Sequence, residues 1–561
     1  MRLLAFALCI SLAACSTQHP ATQPAAPRLV TITLLGTSDL HGHVEALPFL
    51  ASYVRAVRDA RTRDHGGTVL VDAGDLFQGT IASNAFEGAP VIAAYNAIGY
   101  DAVAIGNHDF DYGPRDDAPS GPPNDTRGAL LARAGEAHFP FLTANVLDRA
   151  THQNVSWPHV APSTTLEVAG VRIGVVGVST AATLDTTLAS NVRDLAMARP
   201  RDAIAQEAAR LRANGATLVF AVAHAGGRCT NLERPDDVSS CEHSQEIVEI
   251  AESLSPGAVD AIVAGHTHQA MANIVNGIPV IESYALGRAF GRIDFNVDPA
   301  AHRVVERRVY PPRDLCRRRP TREHPCEPGE YEGVAIAPDA NVASLIAPSL
   351  ERATQIGARS LGVTAAGVVR TQYDREAPLG NLLADLLREA TPHADVAILN
   401  GGGIRGDLPA GPITYGHVYE VMPFDNREAV VEMRGAGLRA LIEDNLGHEA
   451  GIISISGVRA VAQCVNGRLV ATLTRENGAP LADDATIRVA TSDFLVAGGD
   501  GLFGGGRVVR DVTPDESPML RDVFADRLSA HGPTVRGDDP RVFDLAHPRL
   551  GYQGARPVRC R

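Results

Sequence analysis

The sequence predicts an α/β protein built of two domains. Its 561 residues exceed what a single hydrophobic core usually serves, and 45% hydrophobic with 21% charged residues is typical of globular proteins. From residue 29 to about 300, Val- and Ile-rich runs of strand length alternate with helical stretches. This alternation indicates parallel strands that are buried on both faces between helices.

The predicted strands of the first domain share a polar residue near the carboxyl end, usually beside a glycine. In chain order they are LVTITLLGT, GTVLVDAGD, YDAVAIGNHD, VRIGVVGVST, ATLVFAVAHAG and VDAIVAGHTHQ. PVIAAYNAIG and RDAIAQEAARLRANG, which lie between them, have the spacing of helices. Open α/β sheets bind ligands beyond the carboxyl ends of their strands, so the polar residues gathered there form the candidate site.

The boundary between the domains is predicted at residues 301–360. Residues 296–340 are rich in Arg and Pro and are expected to be irregular, and DANVASLIAPSLERATQIGARSLG is predicted to form an interdomain helix. A second set of elements covers residues 361–561. There the strand-like TIRVATSDFLV leads into GGDGLFGGG, an order that favours a ligand-binding loop over a merely flexible one.

The charge composition excludes several classes of function. A formal net charge of -14 argues against a nucleic-acid-binding surface, which requires a basic excess. The chain contains no lysine, which excludes the lysine P-loop and Schiff-base catalysis. We expect a monomer that has no nucleic-acid partner.

The N-terminus, MRLLAFALCISLAACSTQ, has one Arg before a short apolar run and small residues after it. The run is too short to span a bilayer as a mature helix, and no later stretch is apolar enough to do so. It resembles a bacterial lipoprotein signal over residues 1–15, with Cys15 as the acylated residue and residues 16–28 as a tether. A plain secretory signal cut nearby is the alternative. We therefore expect an exported, periplasmic protein that is anchored to the membrane through a lipid on Cys15.

Six cysteines remain after Cys9 and Cys15, and an even number in an exported chain suggests disulfides. Sequential pairing is the simplest prediction, because the first two pairs would each close a short loop; free buried thiols are the alternative. A Cys-rich zinc site is not expected, since the sequence has no C-x-x-C. The six residues are Cys229, Cys241, Cys316, Cys326, Cys464 and Cys560.

The candidate site combines carboxylate, imidazole and amide side chains at successive strand ends. A single strand-end His more often makes only a backbone hydrogen bond, but repeated mixed clusters suit divalent ions such as zinc or manganese. A carboxylate can bridge two ions roughly 3.5–4 Å apart, which together activate water and clamp a phosphoryl group. Asp75 stands alone at its strand end and is the natural bridge. The full set is Asp39, His41, Asp75, Asn107, His108, His224, His266 and His268.

The order D-x-H, GD, GNHD, H and GHTH resembles the calcineurin-like metallophosphoesterases. GNHDFD, NGGGIRGD, PFDN and GGDG narrow the resemblance to the two-domain bacterial 5'-nucleotidase and UDP-sugar hydrolase family, which includes 2',3'-cyclic-nucleotide phosphodiesterases. The resemblance covers nearly all of the mature chain. It implies a four-layer α/β/β/α sandwich over residues 29–300 and an α+β substrate-binding domain over 361–561.

The resemblance also implies a role for each matching residue. One metal would take Asp39, His41, Asp75 and His268, and the other would take Asp75, Asn107, His224 and His266. His108 would stabilise transition-state charge, and Asp111 would hold its imidazole in the right tautomer. Asp109 is expected to be structural, and Gly106 to permit a sharp turn toward the metals.

In the second domain, Arg405 is expected to pair with a phosphate or carboxylate. By the resemblance, Phe424 and Phe494 would stack on the base, and Asn426 and Asp500 would face base and ribose; the alternative for the two Phe is a place in the core. Relatives carry a further Arg where this chain has Tyr373. Arg370 or Arg375 would have to replace it, and Arg375 is included among the predicted substrate residues.

The predicted activity is therefore release of phosphate from nucleoside 5'-monophosphates. Nucleotide di- and triphosphates and UDP-sugars are further candidate substrates. One alternative is a 2',3'-cyclic-nucleotide 2'-phosphodiesterase with 3'-nucleotidase activity. A non-catalytic nucleotide-binding surface protein is disfavoured by the complete ligand set. A thiosulfohydrolase would give no reason for the paired Phe.

Overall fold

The computed structural model describes residues 29–115, 126–318, 325–448, 451–514 and 516–560. The predicted signal, the tether and Cys15 lie outside these residues. The first half of the chain is mixed α/β. Its strands are β1 (Val30–Thr37), β2 (Gly67–Asp72), β3 (Ala102–Ala104), β4 (Phe141–Leu142), β5 (Val146–Asp148), β6 (Val160–Ala161), β7 (Ser163–Val168), β8 (Val171–Ser179), β9 (Leu195–Met197), β10 (Leu218–His224), β11 (Ala261–Ala264), β12 (Ala270–Val275), β13 (Ile278–Ser283), β14 (Ala289–Asp298) and β15 (Arg303–Asp314).

Helices follow or connect these strands as the alternating pattern predicts. The longer ones begin with local helix signals: Pro200 lies at the first turn of its helix, which has Asp202 near its start and Arg210 and Arg212 near its end. The helices are α1 (Leu47–Arg63), α2 (Ile81–Asn84), α3 (Ala89–Ile98), α4 (Gly128–Glu136), α5 (Thr183–Thr186), α6 (Ala189–Val192), α7 (Pro200–Ala213) and α8 (Glu246–Ser253).

Two sheets pack face to face in this half. The first has seven strands in the order β15-β14-β1-β2-β3-β4-β6, and the second has six in the order β12-β13-β11-β10-β8-β7. An apolar core that includes Ile32, Val71, Phe220 and Phe295 lies between them. A second core holds residues of α1 and α3, and a third holds residues of α7 and α8, so helices cover the sheets as the predicted four-layer sandwich requires.

The central strands of both sheets are parallel, which places their carboxyl ends at one edge of the sandwich. β1 pairs with β2 and β2 with β3 in parallel, and β10 pairs in parallel with both β8 and β11. The polar residues that follow these strands therefore come from both sheets and meet at that edge.

The expectation that residues 296–340 are irregular was wrong in part. β15, from Arg303 to Asp314, is a long edge strand that pairs antiparallel with β14. The prolines within it, Pro311 and Pro312, are compatible with an edge strand because such a strand has an unpaired side. The sheet of the first half thus continues past residue 300, where the sequence had placed the end of the domain.

The predicted interdomain helix is present as α9. Two short strands, β16 (Glu330–Tyr331) and β17 (Val334–Ala335), precede α9 (Ala340–Gly357), whose N-terminus is capped by the Asp339 side chain. Val342 and Ile346 of α9 are buried in the same core as α1 and α3. The helix therefore packs on the first half before the chain enters the second.

The second half is α+β, as the sequence predicts. Its α10 carries leucines at helical spacing on one buried face. The strands are β18 (Ser360–Ala365), β19 (Val396–Asn400), β20 (Gly411–Thr414), β21 (Glu428–Arg434), β22 (Ile453–Ser456), β23 (Val458–Val465), β24 (Arg468–Arg475), β25 (Thr486–Ser492), β26 (Val508–Asp511), β27 (Thr534–Val535) and β28 (Leu550–Gly551), and the helices are α10 (Pro378–Ala390), α11 (Tyr415–Val421), α12 (Gly435–Gly447), α13 (Asp493–Val496) and α14 (Leu520–Ala530).

The strands of this half form a mixed five-stranded sheet, β22-β19-β25-β21-β26, and two three-stranded sheets, β20-β18-β27 and β24-β23-β28. The strand-like TIRVATSDFLV proves to be β25 followed by the short helix α13. Phe494 therefore lies on a helical turn beyond the sheet and not on the strand itself.

Three disulfides confirm the predicted sequential pairing of the cysteines. Cys229 bonds to Cys241, Cys316 to Cys326 and Cys464 to Cys560. The last of these ties the C-terminus to β23. None of the helices in the described part of the chain is long and apolar enough to cross a bilayer.

Close contact between the two sheets predicts unequal effects of adding a methyl group at two glycines. A Cβ at Gly177 of β8 would lie 2.3 Å from Cβ of Leu142, whereas a Cβ at Gly135 of α4 would come no nearer than 3.9 Å to another group. We expect Gly177→Ala to lower the free energy of unfolding by about 1–3 kcal/mol. Gly135→Ala should raise it by about 0.5–1 kcal/mol, because alanine favours helix.

Thermal unfolding of the two variants beside the unaltered protein measures this difference. A Gly177→Ala protein as stable as the Gly135→Ala protein would contradict the close approach of the sheets.

Candidate functional site

The predicted strand-end residues lie together at the carboxyl edge of the sandwich. Five of them are almost fully buried, with at most 3% of their surface exposed: Asp39, His41, Asp75, Asn107 and His224. His266 and His268 are partly exposed and close the group on its open side.

Two groups of possible metal ligands can be separated within this set. In the first, one donor atom from each of Asp39, His41 and His268 lies within 4.8 Å of the others. The Nε2 atoms of His41 and His268 are 3.0 Å apart, and Nε2 of His268 is 3.6 Å from Oδ1 of Asp39. Nitrogen and carboxylate oxygen atoms thus lie close together in this group.

The second group consists of Asp75, His224 and His266, whose donor atoms also lie within 4.8 Å of one another. Nε2 of His224 is 2.9 Å from Oδ1 of Asn107, which brings the predicted amide oxygen to the same group. Both groups therefore contain the residues that the sequence assigned to each metal.

The Asp75 carboxylate lies between the two groups. Its Oδ2 is 3.1 Å from Nε2 of His224 and 3.6 Å from Nε2 of His41, which belong to different groups. Its Oδ1 accepts the backbone N–H of His108 at 2.8 Å. One oxygen is thus fixed by the backbone while the other faces both groups, an arrangement that suits a bridging carboxylate.

Two of the imidazoles have a defined tautomer. Nδ1 of His41 donates to the carbonyl oxygen of Gln78 at 2.7 Å, and Nδ1 of His224 donates to that of Ala73 at 2.8 Å. A carbonyl oxygen can only accept, so Nδ1 carries the proton in the neutral ring, and Nε2 faces the site. Hydrogen bonds of this kind orient histidine ligands in metal sites.

The backbone is left-handed at several of these positions. φ is +52° at Asp39, +48° at His41, +58° at Asp75, +83° at His266 and +58° at His268. Each such residue costs about 1–3 kcal/mol, and such residues cluster where the surrounding structure holds a side chain in place for function. The conformation recurs at alternate residues, at 39 and 41 and again at 266 and 268.

Asp109 and Gly106 support the Asp75 turn. The Asp109 carboxylate accepts backbone N–H groups of Asp75, Leu76 and Gly106 at 2.8–3.1 Å, which fits its predicted structural role. Gly106 acts differently from the prediction, because its φ is not positive. A Cβ at Gly106 would lie 2.2 Å from Oδ1 of Asp75, so glycine is needed for close approach and not for a turn.

His108 and Asp111 form a hydrogen-bonded pair beside the clusters. Nδ1 of His108 donates to Oδ2 of Asp111 at 2.6 Å, which leaves Nε2 of the ring free of that bond. The His108 ring centroid is 5.5 Å from that of His41. The imidazole therefore borders the first group of ligands, with its orientation fixed by the carboxylate.

Electrostatic effects favour an ionised Asp75. Burial works to raise the pKa of Asp75, but the imidazoles of His224 and His108 hold it well below its ordinary value. Burial also works against charge on His224, yet the carboxylates of Asp75 and Asp39 raise the pKa of His224 to about 10. Burial, and then the charge of His224, lowers the pKa of His266 to about 3. The ionised Asp75 carboxylate thus supplies negative charge at the centre of the site, and His224 would have to release a proton to bind a metal ion.

A cavity of about 650 Å³ connects these residues with the second half of the chain. Its volume is within the range of small-molecule sites. It is lined by Asp75, Asn107, His108, Asp111, His266 and His268 from the first half, and by Tyr373, Asn400, Arg405, Phe424, Asn426, Phe494 and Asp500 from the second, among other residues.

Arg405 reaches from the second half to the ligand clusters. It follows the Gly401–Gly403 turn, and its Nη2 lies 3.4 Å from Nε2 of both His41 and His268. Its guanidinium carbon is 5.7 Å from the centre of the Phe424 ring. Arg405 therefore faces the place where an anionic group would meet the ligands.

Both predicted aromatic residues line the cavity. The Phe424 ring centroid is 5.2 Å from that of His108, near the ligand clusters. Phe494 packs over Gly499, where a Cβ would lie 2.4 Å from its ring. Next to Gly499, the Asp500 carboxylate accepts a hydrogen bond from Nδ2 of Asn400 at 2.7 Å.

Two contacts hold the Phe424 loop to the first half. Nε2 of Gln78 and Nδ2 of Asn84 donate to the carbonyl oxygen of Pro423, at 2.8 and 3.1 Å. The carbonyl oxygen of Gln78 also accepts from His41. Gln78 therefore connects the candidate metal ligand His41 with the loop that carries Phe424.

Neither arginine expected to replace the missing one reaches the cavity. Arg375 is exposed and is not among the lining residues, and Arg370 pairs with Asp407 at 3.0 Å. Tyr373 itself lines the cavity and is 59% exposed. A neutral phenol thus occupies the wall where a cation was expected.

Sequence reasoning missed several other lining residues, which include Thr186, Leu188, Arg228, Glu242, Gln245 and Gln269. Arg228 precedes Cys229 and Glu242 follows Cys241. The predicted disulfide between these cysteines could therefore have indicated that Arg228 and Glu242 lie side by side. Thr186 ends the short helix α5 and Leu188 directly precedes α6, in a stretch without a distinctive pattern.

The chain matches two family models. The model described as calcineurin-like phosphoesterase matches residues 32–270, and the one described as 5'-nucleotidase, C-terminal domain, matches residues 355–504. A 5'-nucleotidase of Vibrio cholerae is 25% identical, over 93% of this chain and 97% of its own length.

Two solved structures from Thermus thermophilus have the same fold. A 5'-nucleotidase precursor superposes with a TM-score of 0.73 at 23% identity, covering 93% of this chain and 99% of its own. The sulfate thiohydrolase SoxB, in complex with glycerol, gives 0.70 at 17% identity, covering 94% and 98%.

Proposed function

The chain belongs to the family that joins a calcineurin-like phosphoesterase domain to a 5'-nucleotidase C-terminal domain, and on that basis we propose that it releases phosphate from nucleoside 5'-monophosphates. It is a metal-dependent phosphoric monoester hydrolase of this family. The observation that carries the nucleotide assignment is one cavity that joins the paired ligand clusters to Arg405, Phe424 and Phe494. A sulfate thiohydrolase has the same fold, so the fold alone does not favour a nucleotide as substrate. The second-domain residues do.

The donor set fits two divalent ions, for which zinc and manganese are the proposed identities. Imidazole nitrogen with carboxylate oxygen suits both metals. Asp39, His41, Asp75 and His268 would hold one ion, and Asp75, Asn107, His224 and His266 would hold the other. When bound, the pair would activate water and neutralise charge on the phosphoryl group.

The remaining residues position the phosphate and its leaving group. Arg405 would pair with a phosphate oxygen, because its guanidinium faces the clusters from the second domain. His108, held by Asp111, would donate a hydrogen bond to an oxygen that gains charge in the transition state. Arg405 and His108 both lie beside the ligand clusters, so they would need little movement to contact a phosphate bound there.

The nucleoside would extend along the second-domain wall. Phe424 and Phe494 are proposed to contact the base, and Asn426 and Asp500 the base and ribose. Asp500 is fixed by Asn400, which favours a defined hydrogen-bonding role. Arg375 lies outside the cavity, so we assign it no contact. The domain limits of 29–300, 301–360 and 361–561 remain proposals, except that β15 pairs with β14 and so extends the first domain past residue 300.

We also propose that the protein is exported and anchored through Cys15. Three disulfides are typical of oxidising compartments. The signal-like segment before residue 16 supports a periplasmic lipoprotein.

The substrate assignment predicts that the two aromatic residues matter for nucleotides more than for other esters. Replacing Phe424 and Phe494 by Ala should lower kcat/KM for a nucleoside 5'-monophosphate at least about tenfold, since stacking contributes about 1–3 kcal/mol per base. An aryl phosphate, which needs only the metals and Arg405, should lose far less. Phosphate release from both substrates gives the comparison; equal losses would assign the two Phe to the core and remove the nucleotide argument.

The metal assignment predicts opposite metal contents for two inactive variants. Asp75→Asn should lose most bound metal together with activity, because the bridging oxygen becomes part of a neutral amide. His108→Ala should retain its metal while kcat falls about 10²-fold or more. Elemental analysis of both purified variants checks this, and full metal in Asp75→Asn or little in His108→Ala would refute the assigned roles.

The export assignment predicts that Cys15→Ala moves the protein from the membrane fraction to the soluble periplasm, or blocks signal cleavage. Fractionation and mass analysis of the mature N-terminus measure this. A natural protein that is soluble and free of lipid would overturn the anchor.

A further inference from the structure

The His108–Asp111 pair is carried by a single helical turn. Residues 107–111, which we call the dyad turn, have helical backbone angles and include a 3-10 helix over His108–Phe110. In such a helix, side chains three positions apart lie over one another, which brings the His108 imidazole beside the Asp111 carboxylate. One turn is not stable alone, because forming the first hydrogen bonds fixes several backbone angles for little gain. The geometry of the pair therefore depends on contacts from outside the turn.

The two ends of the dyad turn are held by different groups. Near its start, the Asp109 carboxylate accepts the N–H of Gly106 at 2.8 Å. At the C-terminal end of any helix, the last carbonyl groups have no partner within the helix and must find donors elsewhere. In the dyad turn these are the carbonyl groups of Phe110 and Asp111, next to the reacting pair.

Asn191 supplies donors to both of these carbonyl groups. Its Nδ2 donates to the carbonyl oxygen of Phe110 at 2.9 Å and to that of Asp111 at 3.2 Å. A side-chain amide nitrogen carries two hydrogens, so it can serve two acceptors, and a carbonyl oxygen can only accept. Asn191 is 4% exposed, and a buried carbonyl that loses its donor is costly to leave unpaired. The Asn191 amide thus closes the C-terminal end of the dyad turn.

The Asn191 side chain has little room to move. Just beyond the dyad turn, a Cβ at Gly113 would lie 2.9 Å from Oδ1 of Asn191, and φ at Gly113 is +67°. The next residue of α6, Val192, is buried in the same core as Phe110. Apolar packing and the amide therefore fix α6 against the dyad turn from two sides.

The segment that carries Asn191 also contacts the start of the dyad turn. The Thr187 hydroxyl donates to the carbonyl oxygen of Asn107 at 2.7 Å, and Nδ2 of Asn107 donates to the carbonyl oxygen of Thr186 at 3.4 Å. Thr187 is 1% exposed. These bonds join backbone, hydroxyl and amide groups, so the segment acts on the His108 side chain through the main chain that carries it.

We propose that Asn191 is a positioning residue for the hydrolysis, which sets the direction of the His108 imidazole by fixing the backbone of the dyad turn. Asn191 is not among the residues that line the cavity in the described part of the chain, so its effect must pass through His108. A misplacement of about 1 Å in a catalytic group can lower a rate about 10²-fold. The inference rests on the proposed role of His108 and not on the identity of the nucleoside.

The test is a double-mutant cycle between Asn191→Ala and His108→Ala in the metal-loaded protein. Phosphate release from AMP and from an aryl phosphate gives kcat and KM, and elemental analysis gives the metal content. Asn191→Ala should lower kcat about tenfold or more, with KM and metal content nearly unchanged. In the His108→Ala protein the same replacement should lower kcat by less than about twofold, because no imidazole remains to be misplaced.

Asn273→Ala is the matched control. Asn273 is fully buried, and its Nδ2 donates to the carbonyl oxygens of Asn231 and Asp237 at 3.1 and 3.2 Å, in the loop closed by the Cys229–Cys241 disulfide. Its replacement removes the same kind of amide from a loop that does not carry the pair. Any change in kcat that it causes should be the same fold-change with and without His108. Asn191→Leu, which fills the space but cannot donate, supplies the cycle if Asn191→Ala does not fold.

Several outcomes overturn the inference. Equal fold-losses of kcat with and without His108 would make Asn191 a residue of the fold only, and an unchanged kcat in Asn191→Ala would remove its role altogether. Loss of bound metal in that variant would place its effect on the ligand Asn107 instead. A natural protein that hydrolyses the aryl phosphate but not AMP would refute the proposed nucleotide function, and the cycle on the aryl phosphate would still decide the role of Asn191.

Discussion

The candidate site depends on the placement of one buried carboxylate. Asp75 follows β2 at the point where the carboxyl ends of the parallel strands of both sheets meet. Its Oδ2 lies between His224, which ends a strand of one sheet, and His41, which follows a strand of the other. Neither sheet alone could surround it. The face-to-face packing of the sandwich is therefore also the device that brings the two ligand groups together.

That placement is costly and is supported from several directions. Asp75 and four other ligand residues have left-handed backbone, a conformation that non-glycine residues avoid. Short-range contacts stabilise this backbone conformation. Asp109 accepts three backbone N–H groups, and Gly106 has no Cβ that would displace the Asp75 oxygen. Buried hydrogen bonds of this kind are expensive to lose, so the loops keep their strained form.

The sequence was most informative where chemistry and chain order coincide. Metal-ligand types at successive strand ends located the clusters, because parallel strands must bring those ends together. The even cysteine count indicated disulfides, and pairing in chain order gave the correct pairs. It was least informative where tertiary contacts decide. Pro311 and Pro312 suggested irregular structure, although an edge strand tolerates them. Tyr373, Arg228 and Glu242 have no local pattern that distinguishes a cavity wall from a solvated surface, and only the folded chain places them.

The direction of β1 has a consequence for how the protein faces its surroundings. The strand enters the sandwich at Val30 and delivers Asp39 just beyond its far end, and its eight residues span about 26 Å. An attachment that precedes Val30, such as the proposed lipid, would therefore join the molecule at the end of β1 that lies away from the cavity. Under that proposal, substrate would reach the cavity from the open aqueous compartment and phosphate would leave into it, without passing through the negatively charged headgroup layer of the membrane.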